Sequence, residues 1–155
     1  MSVVKTALKA RDIMTADPVC IGPSATIREL ARTFEEHEIS GVPVVNQEGR
    51  VVGIVSKTDL IRRCAEGTDE IPPAYLFEVL SDQGDEDESE AVPEPLICVD
   101  DFMTEDPVTV GPELSAPAIA RLMTDKRIHR VIVTDDEKFP IGIITSMDLL
   151  GVLSR

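Results

Sequence analysis

The sequence predicts an α/β (α+β) fold made of two copies of a βαββα unit. Three observations carry this expectation: an internal repeat, a helical stripe followed by two β-branched runs in each copy, and Gly-Pro or capping signals at the joints between them. Asp12-Ile13-Met14-Thr15-Ala16-Asp17-Pro18-Val19 recurs as Asp101-Phe102-Met103-Thr104-Glu105-Asp106-Pro107-Val108, a shift of 89 positions (101 − 12). The same shift carries Gly22-Pro23 onto Gly111-Pro112, Ala31-Arg32 onto Ala120-Arg121, Gly53-Ile54 onto Gly142-Ile143 and Asp59-Leu60 onto Asp148-Leu149. From Asp12 to Leu60 no gap is needed, and roughly 18 of roughly 49 positions are identical.

Each copy opens with a turn at Met14 or Met103 and a brief strand, Val19–Ile21 or Val108–Val110. A helix follows Gly-Pro. In the first copy Thr26-Ile27-Arg28-Glu29 has the capping-box pattern, and Ile27, Leu30, Ala31 and Phe34 form an apolar stripe. In the second copy Ser115 is the expected N-cap, Pro117 is tolerable in the first turn, and Ile119, Leu122 and Met123 form the stripe. Next come the β-branched runs Val42–Val45 and Val51–Val55, joined by Asn46-Gln47-Glu48-Gly49. Their counterparts are Val131–Thr134 and Ile141–Ile144, joined across Asp135–Phe139. A second helix starts near Ser56 or Thr145, with Leu60, Ile61 and Cys64, or Leu149, Leu150 and Leu153, as its apolar residues. A unit of ~50 residues is too small to be stable alone, so the two are expected to pair with pseudo-two-fold symmetry.

This places one repeat at 9–65, a linker at 66–97 and a second repeat at 98–155. The linker holds Pro72-Pro73, which open an expected short helix at Ala74–Leu80, and a dense anionic run from Asp82 to Glu90. That run reads as a solvated loop, or as a binding tail for a basic partner or a divalent cation. Its glycine and glutamate are misplaced for an EF-hand.

Charge and composition exclude several functions. The net charge is −14, from 29 acidic and 15 basic residues, which is the wrong sign for a nucleic-acid backbone. Trp is absent and Tyr occurs once, too few for stacking platforms. No run approaches the about 20 apolar residues of a membrane helix, so no membrane insertion is expected. Cys20, Cys64 and Cys98 stand far apart without zinc spacing, and no metal is expected. An odd cysteine count without a signal-peptide pattern predicts a reducing, cytoplasmic location. No nucleophile–base pair, metal set or P-loop is found, so the chain is not expected to be an enzyme and no catalytic residue is assigned.

Two recurring features could hold a ligand. The first is [S/T]-x-x-D at a strand-to-helix junction, Ser56-Lys57-Thr58-Asp59 and Thr145-Ser146-Met147-Asp148. Free N–H groups at a helix start suit an anion, and a carboxylate there can accept from the two ribose hydroxyls. The same four residues also make an acidic capping box with no ligand involved. The second feature is the approach to the middle strand: Ser40-Gly41-Val42-Pro43 and His129-Arg130-Val131. Pro43 removes a ladder donor, which places Val42–Val45 at an edge, and Gly41 permits close approach of a flat base. Arg130, beside His129, would pair with a phosphate, or would balance Asp135 and Asp136. Lys57 is a further cationic candidate.

At these residues the sequence resembles tandem cystathionine-β-synthase (CBS) domains, a Bateman module. The carriers are D-[IF]-M-T-x-D-P-V, Ile39–Val44 with Val-Pro-Val, Ile128–Val133 with His-Arg, and G-I-[VI]-[ST]-x-x-D-L. The resemblance implies two inter-domain clefts for AMP, ADP, ATP or S-adenosylmethionine, with no required cofactor. It implies ribose binding by Asp59 and Asp148, with Ser56 and Thr145 beside them. It implies an adenine pocket lined by Thr15, Pro18 and Val19, and by Thr104, Pro107 and Val108. His129-Arg130 looks like the phosphate-binding pair of the γ subunit of AMP-activated protein kinase. Ser40-Gly41 stands in the first copy where His129-Arg130 stands in the second, so the two clefts are expected to differ. The resemblance also implies a homodimer and regulation of a separate, unidentified protein. The alternative is a ligand-free interaction module. With a single basic cluster, AMP or a cationic adenosyl ligand is expected to fit better than bare ATP.

Overall fold

The computed structural model describes residues 8–65 and 97–154. The linker helix expected at 74–80 and the anionic run at 82–90 lie outside the described residues. The described elements are α1 (Ala10–Ile13), β1 (Thr15–Ala16), α2 (Ile27–His37), β2 (Gly41–Val45), β3 (Val51–Ser56), α3 (Lys57–Ala65), a 3-10 turn (Val99–Asp101), β4 (Thr104–Glu105), β5 (Thr109–Val110), α4 (Ala116–Lys126), β6 (Arg130–Thr134), β7 (Pro140–Thr145) and α5 (Ser146–Leu153). The shift of 89 holds element by element: α2 maps onto α4, β2 onto β6 and β3 onto β7. This is the two-repeat α+β architecture that the sequence predicts.

Packing divides the chain into two compact units that cut across the repeats. Among the described residues, one comprises 8–18, 47–52 and 106–154, the other 19–46, 53–65 and 97–105. The segment that opens each repeat thus belongs to the unit built around the other repeat.

The first unit holds a four-stranded sheet in the order β1-β7-β6-β5. β6 and β7 pair antiparallel, β5 joins β6 in parallel, and β1 runs antiparallel to β7 with Thr15 opposite Ile143 and Ala16 opposite Gly142. The entering segment is tied to the start of α4 by Ala10 N–H to Leu114 O (2.8 Å) and Ala116 N–H to Leu8 O (2.9 Å). Ala10, Ile13, Val110, Ile119, Met123, Val131, Val133, Ile144 and Val152 form its core. α4 begins as expected: Ser115 Oγ accepts from Ala118 N–H at 3.3 Å, and proline occupies the first turn.

The second unit holds the three-stranded sheet β2-β3-β4. β4 lies antiparallel to β3, with Gly53 opposite Glu105 and Ile54 opposite Thr104. Val99 N–H donates to Ala25 O at 2.9 Å, the counterpart of the Ala10–Leu114 bond in the first unit. Ile27, Leu30, Phe34, Val42, Val44, Val55 and Leu60 are buried. Thr26 and Glu29 form the expected reciprocal cap: Glu29 N–H donates to Thr26 Oγ1 at 3.0 Å, and Thr26 N–H to Glu29 Oε1 at 2.9 Å.

Three expectations change. The strand at Val19–Ile21 reduces to one parallel bridge, Ile21 to Val44, in which Ile21 N–H donates to Pro43 O and Val45 N–H to Ile21 O. This bridge uses the carbonyl of Pro43 and needs no donor from it, which is how a proline enters an edge strand. The counterpart strand shortens to Thr109–Val110. In α5 the core contact is made by Val152 with Leu149 packed beside it, whereas Leu150 and Leu153 are 56% and 69% exposed. A helix with a period of 3.6 residues can turn one stripe inward, and α5 is apolar on more than one stripe.

Candidate functional site

Each repeat carries its [S/T]-x-x-D sequence at the junction of a strand and a helix. At the end of β7, Thr145 is the N-cap of α5. Asp148 N–H donates to Thr145 Oγ1 at 3.2 Å, and Thr145 N–H donates to Asp148 Oδ2 at 2.8 Å. At the end of β3, Asp59 N–H donates to Ser56 Oγ at 3.1 Å. Ser56 N–H and Ser56 Oγ–H both donate to Asp59 Oδ2, at 2.8 and 2.9 Å. Both sequences therefore fold as acidic capping boxes, with one carboxylate oxygen of each aspartate satisfying backbone donors at the helix start.

The residue just before β6 or β2 closes each junction in the same way. Ser146 N–H donates to His129 O at 2.9 Å, and Lys57 N–H donates to Ser40 O at 2.8 Å. Register then places Arg130 directly opposite Thr145. The exchange of opening segments adds the Met-Thr turns. Thr15 pairs with Ile143, two residues before Thr145, and Thr104 pairs with Ile54, two residues before Ser56.

The first unit accordingly gathers Thr15, Pro18, Pro107, Val108, His129, Arg130, Val131, Thr145 and Asp148. The second gathers Val19, Ser40, Gly41, Val42, Pro43, Ser56, Lys57, Asp59 and Thr104. Thr15, Thr104, Ser40, Lys57 and His129 are exposed, while Asp59, Asp148, Ser56, Thr145 and Arg130 are half-buried. Val42, Pro43 and Val131 are buried, so their side chains serve the core.

The aspartates differ in their second oxygen. Arg62 Nη1 approaches Asp59 Oδ1 at 3.4 Å, one helical turn further along α3. Asp59, Arg62, Arg63, Asp101 and Phe102 line a polar hollow of about 270 Å³. Arg62 and Arg63 are not among the residues that the sequence singles out. Their signal is the i, i+3 and i, i+4 spacing from Asp59, which puts opposite charges on one helix face. Asp101, the first residue of the repeated motif, caps the 3-10 turn through Cys98 N–H to Asp101 Oδ2 (2.8 Å), as Asp12 caps α1 through Lys9 N–H (2.8 Å). Ligand atoms of Cys98, Asp100 and Asp101 lie within 4.8 Å of one another, but the cap already accounts for Asp101.

Comparison with known proteins gives these junctions a context. A family model described as CBS domain matches residues 10–66 and 99–155. An uncharacterized protein of Methanocaldococcus jannaschii is 29% identical over 92% of this chain and 89% of its own length. An inosine-5'-monophosphate dehydrogenase of Korarchaeum cryptofilum is 26% identical over 96% of this chain, which spans 25% of that enzyme's length. Among solved structures, the CBS domain of a CBS-domain-containing membrane protein from Sphaerobacter thermophilus matches with a TM-score of 0.72 and 30% identity, covering 96% of this chain and 90% of the other. CBSX2 in complex with AMP matches with a TM-score of 0.69 and 23% identity, over 95% of this chain and 96% of the other. The CBS domain pair of protein MJ0100, in complex with 5-methylthioadenosine and S-adenosyl-L-methionine, matches with a TM-score of 0.72 and 21% identity, over 96% and 97%. No helix among the described residues is long and apolar enough to cross a membrane.

Proposed function

Because the chain belongs to the CBS domain family, we propose that it is a non-catalytic regulatory module that binds an adenosine ligand and passes the bound state to a separate protein. The candidate ligands are AMP, ADP, ATP and S-adenosylmethionine. Structures of the same fold hold AMP, or 5-methylthioadenosine and S-adenosyl-L-methionine, which supports this class of ligand. The observation that carries the reading is the twin junction: a strand end, a capped helix start, and a Met-Thr turn delivered from the other repeat.

In this reading Asp148 keeps Oδ2 on its cap and offers Oδ1 to a ribose hydroxyl. Thr15, Pro18, Pro107 and Val108 border the adenine, and Arg130, opposite Thr145, meets a phosphate with His129 beside it. At the other junction Asp59 has the ribose role, with Ser56, Thr104, Val19 and the Ser40–Pro43 backbone around it. A ribose there competes with Arg62 for Asp59 Oδ1, so the Asp148 junction is the tighter of the two. Micromolar affinity corresponds to about −8 kcal/mol, within reach of a ribose clamp and one charged pair. The acidity of the chain, −14 overall, favours AMP or a cationic adenosyl compound over metal-free ATP. The reading includes a cytoplasmic location and self-association as a homodimer.

Isothermal titration of wild type and Asp148→Ala with AMP, ADP, ATP and S-adenosylmethionine tests the assignment. Loss of at least about tenfold in affinity is expected for the variant. Equal affinity in both proteins removes Asp148 from the site, and no heat with any of the four overturns the reading.

A second reading is favoured by the completeness of the caps: both boxes are satisfied without a ligand. The chain would then be a protein-interaction module. Thermal melting separates the two, since a ligand that binds only the folded state raises Tm.

A further inference from the structure

On the adenosine reading proposed above, we infer that the polar hollow beside Asp59 is a subsite for the α-amino acid end of a ligand, so that this junction takes S-adenosylmethionine in preference to AMP.

The hollow, about 270 Å³, is lined by Asp59, Arg62, Arg63, Asp101 and Phe102, all in the second unit. α3 supplies the two arginines, three and four residues beyond Asp59, so one helix face carries the carboxylate and both guanidiniums. The 3-10 turn and the residue after it supply Asp101 and Phe102. Two cations and two anions thus share one small concavity. Each aspartate already gives Oδ2 to a backbone donor: Asp59 accepts from Ser56 N–H, and Asp101 from Cys98 N–H. Arg62 Nη1 stands 3.4 Å from Asp59 Oδ1, a long contact made by a side chain that is 64% exposed. Such a contact is weak and yields to a better partner.

A phosphate does not match this lining. It would meet the guanidiniums, but would bring its charge against two carboxylates. An α-amino acid end carries both signs. Its carboxylate fits a guanidinium, which can grip both oxygens at once, and its ammonium fits Asp101. Phe102 adds an apolar wall for the methylenes between the two ends of the ligand. S-adenosylmethionine joins such an end to the ribose assigned to Asp59, and its net positive charge suits a chain at −14. The exchange at Arg62 is then even. The ribose takes Asp59 Oδ1 from the guanidinium, and the amino acid carboxylate replaces Asp59 on the guanidinium. A ligand without that end displaces Arg62 and gives it no new partner.

The Asp148 junction lacks these groups. The shift of 89 sets Gly151, Val152, Asp12 and Ile13 where Arg62, Arg63, Asp101 and Phe102 stand. Val152 and Ile13 are buried in the core of the first unit, and α5 has no lysine or arginine. Lys9 and Arg11, the cations beside Asp12, are engaged with Glu113. The cations assigned to that junction are His129 and Arg130, which leaves it as the place for AMP.

Isothermal titration of the full chain carrying Asp148→Ala, so that the heat reports the Asp59 junction, tests this. The ligands are S-adenosylmethionine, AMP and 5-methylthioadenosine, which keeps the adenosine and the sulfur but has no amino acid end. S-adenosylmethionine is expected to bind at least about tenfold tighter than either of the others. Adding Arg62→Ala should move two ligands in opposite directions. S-adenosylmethionine weakens at least about tenfold, and 5-methylthioadenosine tightens because Asp59 Oδ1 is no longer contested. Loss of fold would weaken both, so Arg62→Ala is also placed in the otherwise native chain and followed by the rise in Tm with each ligand, where the same opposite shifts are expected. Equal affinity for S-adenosylmethionine and 5-methylthioadenosine, or a parallel change in both on Arg62→Ala, overturns the proposal. S-adenosylmethionine that fails to bind the Asp148→Ala chain, while AMP binds wild type, overturns the subsite and leaves the adenosine reading standing. No heat with any of the three in wild type overturns that reading and the subsite with it.

Discussion

Met14 occupies the space that a side chain at Gly142 would need. A Cβ at Gly142 would lie 2.7 Å from Met14 Cγ and 3.0 Å from Met14 Cβ, and would overlap Sδ. The pair recurs as Gly53 and Met103, where a Cβ would stand 2.5 Å from Met103 Sδ and 3.0 Å from Thr104 O. The glycine of each G-I-[VI]-[ST] strand therefore receives the methionine that opens the other repeat. It also allows the Thr15–Ala16 strand to lie against β7, with Ala16 opposite Gly142. Gly142→Ala is expected to destabilise by about 1–3 kcal/mol, the usual range for overpacking. In a Met14→Ala background the same substitution should cost far less, because the obstructing atoms are gone. Urea unfolding of the four proteins of this cycle measures the coupling, and strictly additive costs would remove Met14 as the reason for the glycine.

Much of this architecture was legible in the residues. Thr26 and Glu29 announce the start of α2, and Ser115 that of α4, because caps are local chemistry. The β-branched runs mark β2, β3, β6 and β7 for the same reason. The exchange of opening segments was not legible. A repeat shows which segments are alike, but not which copy each one packs against, and Lys9–Ile13 and Cys98–Met103 carry the same pattern wherever they dock. In α5, Leu149, Leu150, Val152 and Leu153 leave periodicity no polar side to exclude, so Leu149 packs inward as expected while Val152 takes the place expected of Leu150 and Leu153. The candidate site was readable down to its residue types, yet Ser56-x-x-Asp59 and Thr145-x-x-Asp148 serve cap and ribose alike. Only coordinates show that Oδ2 of each aspartate already holds the helix start.

That double role gives the next expectation. Asp59→Ala and Asp148→Ala should each cost about 1 kcal/mol of stability in the absence of any ligand, the ordinary value of a lost cap. Ser56→Ala and Thr145→Ala should cost about as much, since they supply the reciprocal half of the same boxes. Urea titrations without nucleotide give the cap contribution, and the rise in Tm with added AMP gives the ligand contribution separately. If the alanine variants keep full stability, the boxes are not holding α3 and α5.

The thiols should react in an order that exposure alone does not give. Cys64 is buried, and Cys20 and Cys98 are half-buried. Burial raises the pKa of Cys20. It also raises that of Cys64, against a smaller lowering by Arg63. Cys98 is raised by burial and further by the carboxylates of Asp100, Asp101 and Glu29. The thiolate is the nucleophile, so Cys98 should alkylate slowly near neutral pH despite its partial exposure, and faster as pH rises past the ordinary thiol range. Asp100→Asn should speed the reaction at fixed pH by removing one of the opposing charges. Peptide mapping after timed iodoacetamide treatment resolves the three cysteines. A Cys98 rate unchanged by Asp100→Asn would show that its neighbours do not govern it.

Acid should loosen the opening segment of the first unit before the core gives way. Glu113 accepts a hydrogen bond from Lys9 Nζ at 2.9 Å and also contacts Arg11. The Lys9 hydrogen bond holds its carboxyl below the ordinary value, with the charges of Arg11 and Lys9 acting in the same direction and desolvation and Asp12 opposing them. A carboxyl whose folded pKa is depressed contributes stability above its unfolded pKa, and that contribution disappears as pH falls through the folded value. The window therefore lies at and below the ordinary carboxylate range. Stability at neutral pH is unaffected by this titration. Both cations and the carboxylate are solvent-exposed, so the contribution is small and salt weakens it. In Glu113→Gln the acid-dependent step in hydrogen exchange at the Ala10 and Ala116 amides, which join this segment to α4, should flatten. The same variant at neutral pH and low salt should exchange those amides faster than wild type. Identical exchange profiles for the two proteins across the acid range would show that the Lys9–Glu113–Arg11 cluster does not fasten the segment.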